Sequence, residues 1–148
     1  MRKMRVLIIE DDHDVQSSYR ELLSTHVNLT QVFTIEEATV ALGPLEVTRF
    51  DLIAFDGLVP CSTACPDKRI EDMTALVRAI RSRQHVHRVA TSNSKNFRDA
   101  LLEAGCTVAV FPKNELPRLI LDICEASREE QADHDRHATD AFGPGPIN

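Results

Sequence analysis

Residues 51–60, DLIAFDGLVP, decide the fold. Leu52, Ile53, Ala54 and Phe55 form an apolar run with no polar alternation, the pattern of a strand covered on both faces. The run stops at a carboxylate, Asp56, followed by the turn residues Gly57 and Pro60. Strands covered on both faces belong to parallel sheets with crossover helices, and in such sheets ligands gather at the carboxyl ends of the strands. Asp56 therefore falls where a sheet does its chemistry.

Outward from this stretch, short apolar runs alternate with helical spacing along the chain. Arg5–Ile9 reads as the first strand, with Val15, Tyr19, Leu22 and Leu23 on one face of the helix after it. Residues 29–33 make a weaker second strand. Thr34 and Glu37 have capping-box spacing and open a helix that turns Ala38, Ala41 and Leu42 inward and is closed by Gly43 and Pro44. Ile70, Met73, Val77 and Ile80 mark a third helix, and residues 86–90 a fourth strand. Phe97, Leu101 and Ala104 line a fourth helix that stops at Gly105. Residues 107–111 are the fifth strand. A final helix starts near Asn114, takes Pro117 in its first turn, and buries Leu116, Leu119, Ile120 and Ile123. The alternation predicts an α/β fold: a doubly wound, five-stranded parallel sheet in the order 2-1-3-4-5.

The 148 residues, 43% of them hydrophobic, suit one domain with a real core, expected over residues 1–126. From Ser127 the chain is almost free of apolar residues and ends in alternating Gly and Pro, so residues 127–148 read as a flexible polar tail. A net charge of -6 argues against direct nucleic-acid binding. The basic start MRKMR precedes an apolar run too short for export, and no later stretch could span a bilayer. The expectation is a cytoplasmic protein with no membrane partner, whose Cys61, Cys65, Cys106 and Cys124 stay reduced.

At the strand ends the sequence places Glu10, Asp11 and Asp12 after the first strand, Asp56 after the third, Thr91 and Ser92 after the fourth, and Lys113 after the fifth. Acids alone could be a solvated helix start, favoured by the helix dipole, and a lone lysine is ordinarily a surface residue. Carboxylates crowded at one rim repel unless a cation joins them, and hard oxygen donors suit Mg²⁺. Asp56, on a sharp turn, is placed as a nucleophile. The Thr91 hydroxyl and the Lys113 ammonium suit the oxygens of a phosphoryl group.

The motifs VLIIEDD, DLIAFDGLVP with proline four places after Asp56, VATSNS and VFPK stand in that order along the chain. Over residues 4–125 the chain resembles the receiver domain of bacterial two-component response regulators, including the single-domain chemotaxis regulators. The resemblance implies a flavodoxin-like receiver fold in which Glu10 and Asp11 are the acidic pair for Mg²⁺, Asp11 the direct ligand and Asp12 just outside. It implies that Asp56 is both metal ligand and phospho-acceptor, the Leu58 backbone carbonyl a further ligand, Thr91 the switch hydroxyl and Lys113 the phosphate partner. A histidine kinase or histidine phosphotransfer protein would be the donor. The chain would catalyse only its own phosphorylation and dephosphorylation, without conventional enzyme turnover. A downstream protein target, or a second copy in a homodimer, would read the fourth helix, fifth strand and fifth helix, near Phe97, Leu101, Val110 and Leu116.

Three features depart from that pattern. Val110 stands where many receivers carry Tyr or Phe, so a switch would depend less on an aromatic rotamer, or its two forms would differ less. Leu58 is apolar where a polar side chain could orient water, which would shield an acyl phosphate. The loop CSTACPDKR, residues 61–69, is long and carries two cysteines, with His13 the one obvious further metal donor across the rim. These departures keep a second reading open, a pseudo-receiver that binds proteins without phosphate control. An aspartyl phosphatase would resemble a pattern with a second Asp where Leu58 stands. A dinucleotide enzyme would need glycines where the acids follow the first strand.

Overall fold

A computed structural model describes residues 2–44, 49–83 and 85–142. Five parallel strands, β1 (Arg5–Ile9), β2 (Asn28–Val32), β3 (Leu52–Phe55), β4 (His87–Ala90) and β5 (Val108–Ala109), form one sheet in the order β2-β1-β3-β4-β5. They alternate with α1 (His13–Leu23), α2 (Ile35–Leu42), α3 (Ile70–Ile80), α4 (Lys95–Ala104) and α5 (Leu116–Phe142). This is the order expected from the sequence. Backbone contacts divide the chain into residues 1–117, which hold the whole sheet, and residues 118–148.

Right-handed crossovers explain the layering. The step from β1 to β2 runs one way across the sheet, whereas the steps from β2 onward run the other way, so α1 lies on the face opposite α2, α3 and α4. On the latter face Leu7, Ile9, Ile53, Phe55 and Ala90 form one cluster with Ala38, Leu42, Met73, Val77, Ile80, Leu101 and Ala104. Strand side chains alternate, so Val6, Ile8, Leu52, Ala54 and Val89 point the other way, and they are buried too. Both faces are therefore covered, as the unbroken apolar run of β3 requires.

Register places the rim. Ile9 pairs with Phe55, Phe55 with Ala90, and Ala90 with Ala109, so four strands end at one level. The ladder continues one step further: the amides of Asp56, Thr91 and Val110 donate to the carbonyls of Ile9 (3.1 Å), Phe55 (2.9 Å) and Ala90 (2.8 Å). Glu10, Asp56 and Thr91 thus leave the sheet side by side.

Three local expectations change. In α1 the inward residues are Gln16, Tyr19 and Leu23, while Leu22 is 52% exposed. The helix is rotated because the Gln16 carboxamide donates to the carbonyls of Ile8 (3.2 Å), Glu10 (3.1 Å) and Val32 (3.1 Å), which binds that face to the strand ends. Strand β5 has two residues where five were expected. It is an edge strand that runs into Pro112, which has no amide to donate, and Phe111 is already 61% exposed. Finally, residues 127–142 are helical where a flexible tail was expected. Within residues 118–148, Ile120 and Cys124 are buried, and every described side chain from Glu125 to His137 is exposed. The continuation includes Ala, Glu and Arg, good helix formers, and carries a Gln131–Asp135 hydrogen bond of 2.8 Å and an Arg136–Asp133 pair of 2.9 Å. The Gly-Pro end of the expected tail, residues 143–148, lies outside the described residues.

Candidate functional site at the carboxyl rim

The rim is built on the strand ends just described. Glu10, Asp11 and Asp56 each bring a carboxylate oxygen to within 4.8 Å of the others. Glu10 and Asp56 are buried, and Asp11 is partly exposed. Lys113, in the single 3₁₀ turn Lys113–Glu115, bridges the buried pair, with Nζ 2.6 Å from Glu10 Oε1 and 3.2 Å from Asp56 Oδ2. The second oxygens have backbone donors: Gly57 N to Asp56 Oδ1 at 2.7 Å and Asp12 N to Glu10 Oε2 at 3.2 Å.

Burial pushes the Glu10 carboxyl up to about 7, and the Asp56 charge adds to this against the pull of Lys113. Burial also works against the Lys113 ammonium, but its hydrogen bond to Glu10 and the charge of Asp56 outweigh that and raise its pKa. At Asp11 burial acts upward, yet the hydrogen bond from Lys68, with a further side-chain interaction with Glu10, holds the carboxyl below the ordinary carboxylate value. The Lys68 ammonium lies 2.5 Å from Asp11 Oδ2.

Asp12 points elsewhere. Its carboxylate caps α1, accepting from the amides of Asp14 (2.9 Å) and Val15 (3.1 Å). Thr91 is buried and tied through its amide to the end of β3, beside Asp56. Ser92 is also buried, with its hydroxyl accepting from Ser94 N at 3.1 Å. Leu58 is half-buried in the turn after Asp56. Gly57 is needed there on steric grounds, because a Cβ would stand 2.7 Å from Phe97 Cβ. The turn after Asp56 therefore rests directly on α4. Of the residues expected to face a partner, Leu101, Val110 and Leu116 are buried, whereas Leu102 of α4 and Phe111 are exposed, with Arg98 4.6 Å above the Phe111 ring.

Four positioning residues were not assigned to the site from sequence. Tyr19, read as core, donates its hydroxyl to the Lys113 carbonyl at 2.8 Å. Burial, then the charges of Glu10 and Asp56, raise its pKa and keep the phenol protonated as that donor. Asn93 Oδ1 accepts from Lys113 N at 3.3 Å. Gln16 holds the Glu10 carbonyl and is itself held by Gln31 Nε2, 2.7 Å from its side-chain oxygen. Lys68 reaches Asp11 from the long loop. Gln16 carried a signal, since it shares the spacing of Tyr19 and Leu23; Lys68 carried none.

The donor set suits a hard divalent cation. It is all oxygen, two of its three carboxylates are buried, and after burial the charge of Asp56 adds to the rise of the Glu10 pKa. Cys61 and Cys65 do not join it: the Cys61 thiol lies 3.4 Å from Asp72 Oδ2, and Cys65 is exposed.

No protein-family model matches this sequence, and no curated relative matches it. Solved structures do. The fold is similar to a CheY-like response regulator receiver domain protein from Methanospirillum hungatei JF-1, at 23% identity and TM-score 0.60, over 89% of this chain and 98% of that one. It is similar to the BeF3-activated receiver domain of DrrB from Thermotoga maritima, at 17% identity and TM-score 0.62, over 87% and 99%. The phosphorylated cyanobacterial phytochrome response regulator RcpA matches at 18% identity and TM-score 0.58, over 83% and 91%.

Proposed function

From the receiver fold, we propose that this chain is a response-regulator receiver: a switch that transfers a phosphoryl group from a phosphohistidine to Asp56. The observation that carries the reading is the convergence of Glu10, Asp11, Asp56 and Lys113 at one rim of that fold. A surface ion pair would not bury two carboxylates around one ammonium.

Glu10, Asp11 and Asp56, with the Leu58 carbonyl, would hold Mg²⁺, which supplies positive charge against the oxygens of the transferring group. The chain's own residues do the rest. An Asp56 carboxylate oxygen attacks phosphorus, the P–N bond of the phosphohistidine breaks, and the imidazole leaves with the bonding pair. Lys113, already 3.2 Å from Asp56, neutralises charge on the phosphoryl oxygens without having to move far. Tyr19 and Asn93 fix its backbone, so its ammonium meets the incoming group in a defined place. The acyl phosphate adds close to two negative charges beside Thr91, whose hydroxyl can turn toward them. Gly57 transmits the change by contact, because Phe97 of α4 has no slack against it. Output is a protein contact near the exposed Phe111 and Arg98. Hydrolysis of the acyl phosphate resets the chain, so it acts as a switch and does not turn over a substrate. Among the described residues no helix is long and apolar enough to cross a membrane.

The test is intact-protein mass spectrometry after incubation with a small phosphodonor and with a phosphohistidine protein, each with and without Mg²⁺. One phosphoryl adduct that requires Mg²⁺ is expected. No adduct from either donor in folded protein overturns the reading in favour of a phosphate-independent binding module.

A further inference from the structure

The long loop between β3 and α3 is closed on itself. Pro60 and Lys68 form an antiparallel bridge, Cys61 N donates to Asp67 O (3.1 Å), Ser62 N to Cys65 O (3.1 Å), and Cys65 N to Ser62 Oγ (3.0 Å). The resulting hairpin is anchored to α2, whose Ile35 and Glu36 amides each donate at 2.9 Å to the carbonyls of Pro60 and Cys61. Lys68 stands at its base. Its position over Asp11 is set by a framework of backbone hydrogen bonds.

We propose that Lys68 is a tethered cation that occupies Asp11 in the metal-free protein and is displaced when a divalent ion binds, so that the 60–68 hairpin sets the metal affinity of the rim. The proposal rests on the reading of Glu10, Asp11 and Asp56 as metal ligands.

Three observations carry it. First, the two rim lysines are unlike. The Lys113 side chain is 17% exposed and touches Glu10 and Asp56, whereas the Lys68 side chain is 46% exposed and, among the described residues, pairs with Asp11, itself 23% exposed. An exposed single ion pair is weak and exchangeable. Second, an ammonium and a divalent ion cannot both hold Asp11 Oδ2 at close range without like-charge repulsion. Third, the ammonium has somewhere to go. Lys68 lines an open cavity of about 500 Å³ together with Asp11, His13, Phe33 and Glu37, whose Oε1 accepts from the Phe33 amide (3.2 Å) and the Thr34 hydroxyl (3.3 Å).

Lys68 is a surface residue whose loss leaves the backbone framework intact, so its variants test affinity directly. Mg²⁺ is titrated into wild type, Lys68→Met, Lys68→Arg and Asp56→Asn, followed by calorimetry and by amide NMR shifts. Lys68→Met is expected to bind about two- to fivefold more tightly than wild type, the worth of one partly exposed charge pair, while Lys68→Arg stays at or below wild type. Amide signals of Cys61, Ser62, Cys65 and Lys68 should move together with those of Glu10 and Asp56 along the same saturation curve. Equal affinity in wild type and Lys68→Met, with Asp56→Asn weakened, overturns the role of Lys68 and leaves the metal reading standing. Absence of binding in every folded variant overturns the metal reading and the proposal together.

Discussion

The two ends of the sheet use charge in opposite ways. At the amino end, Arg5 forks onto Asp51, with Nε 3.3 Å from Oδ2 and a terminal nitrogen 3.2 Å from Oδ1, while the Arg5 amide adds a third bond at 2.9 Å and Arg2 a fourth at 3.1 Å. Buried Arg88 sits near that end and gives its donors to the carbonyls of Gly105 (2.8 Å), Arg83 (2.8 Å) and Val86 (3.1 Å), joining the turns before β4 and β5. At the carboxyl end, three carboxylates share two lysines. A guanidinium fixes geometry through several directed donors, whereas an ammonium is a compact charge that can be replaced by another cation. The arginine end is therefore a clasp, and the lysine end a set of carboxylates whose counter-charge can be exchanged.

Mutations at the two ends should separate accordingly. The largest effect is at the rim: Asp56→Asn should abolish the phosphoryl adduct seen by intact mass, at an unchanged or raised denaturation midpoint, because it relieves like-charge crowding with Glu10. Loss of both adduct and fold would break the contrast. Next, Arg88→Met should lower stability by about 2–4 kcal/mol, since one buried and two part-buried carbonyls lose a guanidinium donor, and leave Mg²⁺ affinity unchanged in the same titration. Tyr19→Phe should have a smaller effect, about 1 kcal/mol in urea unfolding, together with slower phosphorylation because the Lys113 backbone loses its clamp.

The smallest effect concerns Asp51. Burial acts to raise its carboxyl, but the hydrogen bonds from Arg5 outweigh this and hold it below the ordinary value. A depressed folded pKa gives stability that is present above the unfolded value and lost as pH falls through the folded one. The wild-type advantage over Asp51→Asn should therefore be under about 1 kcal/mol after solvent screening. It should be full near neutral pH, and should disappear as pH drops below about 4. Midpoints measured across that range check the sign.

Strand order and rim membership were legible because both follow from local patterns. A fully apolar strand such as β3 needs two covered faces, Glu10 and Asp56 follow directly on strand ends whose register is set by the sheet, and Lys113 comes four residues after β5. What was not legible depends on groups far apart in sequence. Lys68 meets Asp11 only because a loop closes as a hairpin, and Tyr19 meets Lys113 across 94 positions. Leu22 was assigned inward on hydrophobicity, yet the α1 face is fixed by the polar bonds of Gln16. Residues 127–142 were read by hydropathy, which reports burial, while their helicity comes from residue propensity and short-range pairs.

The amino end of α2 has one more consequence. Its opening amides are all taken: Ile35 by the Pro60 carbonyl, Glu36 by that of Cys61, and Glu37 by the Thr34 hydroxyl at 3.0 Å. Two of these three acceptors belong to another part of the chain, so α2 borrows its cap from the hairpin. A chimaera that replaced residues 61–68 with a short turn would remove one of these acceptors outright and displace the other, leaving α2 to fray from its first turn. The length of this loop is therefore inherited together with the helix it caps, and the two can be exchanged between scaffolds only as a unit.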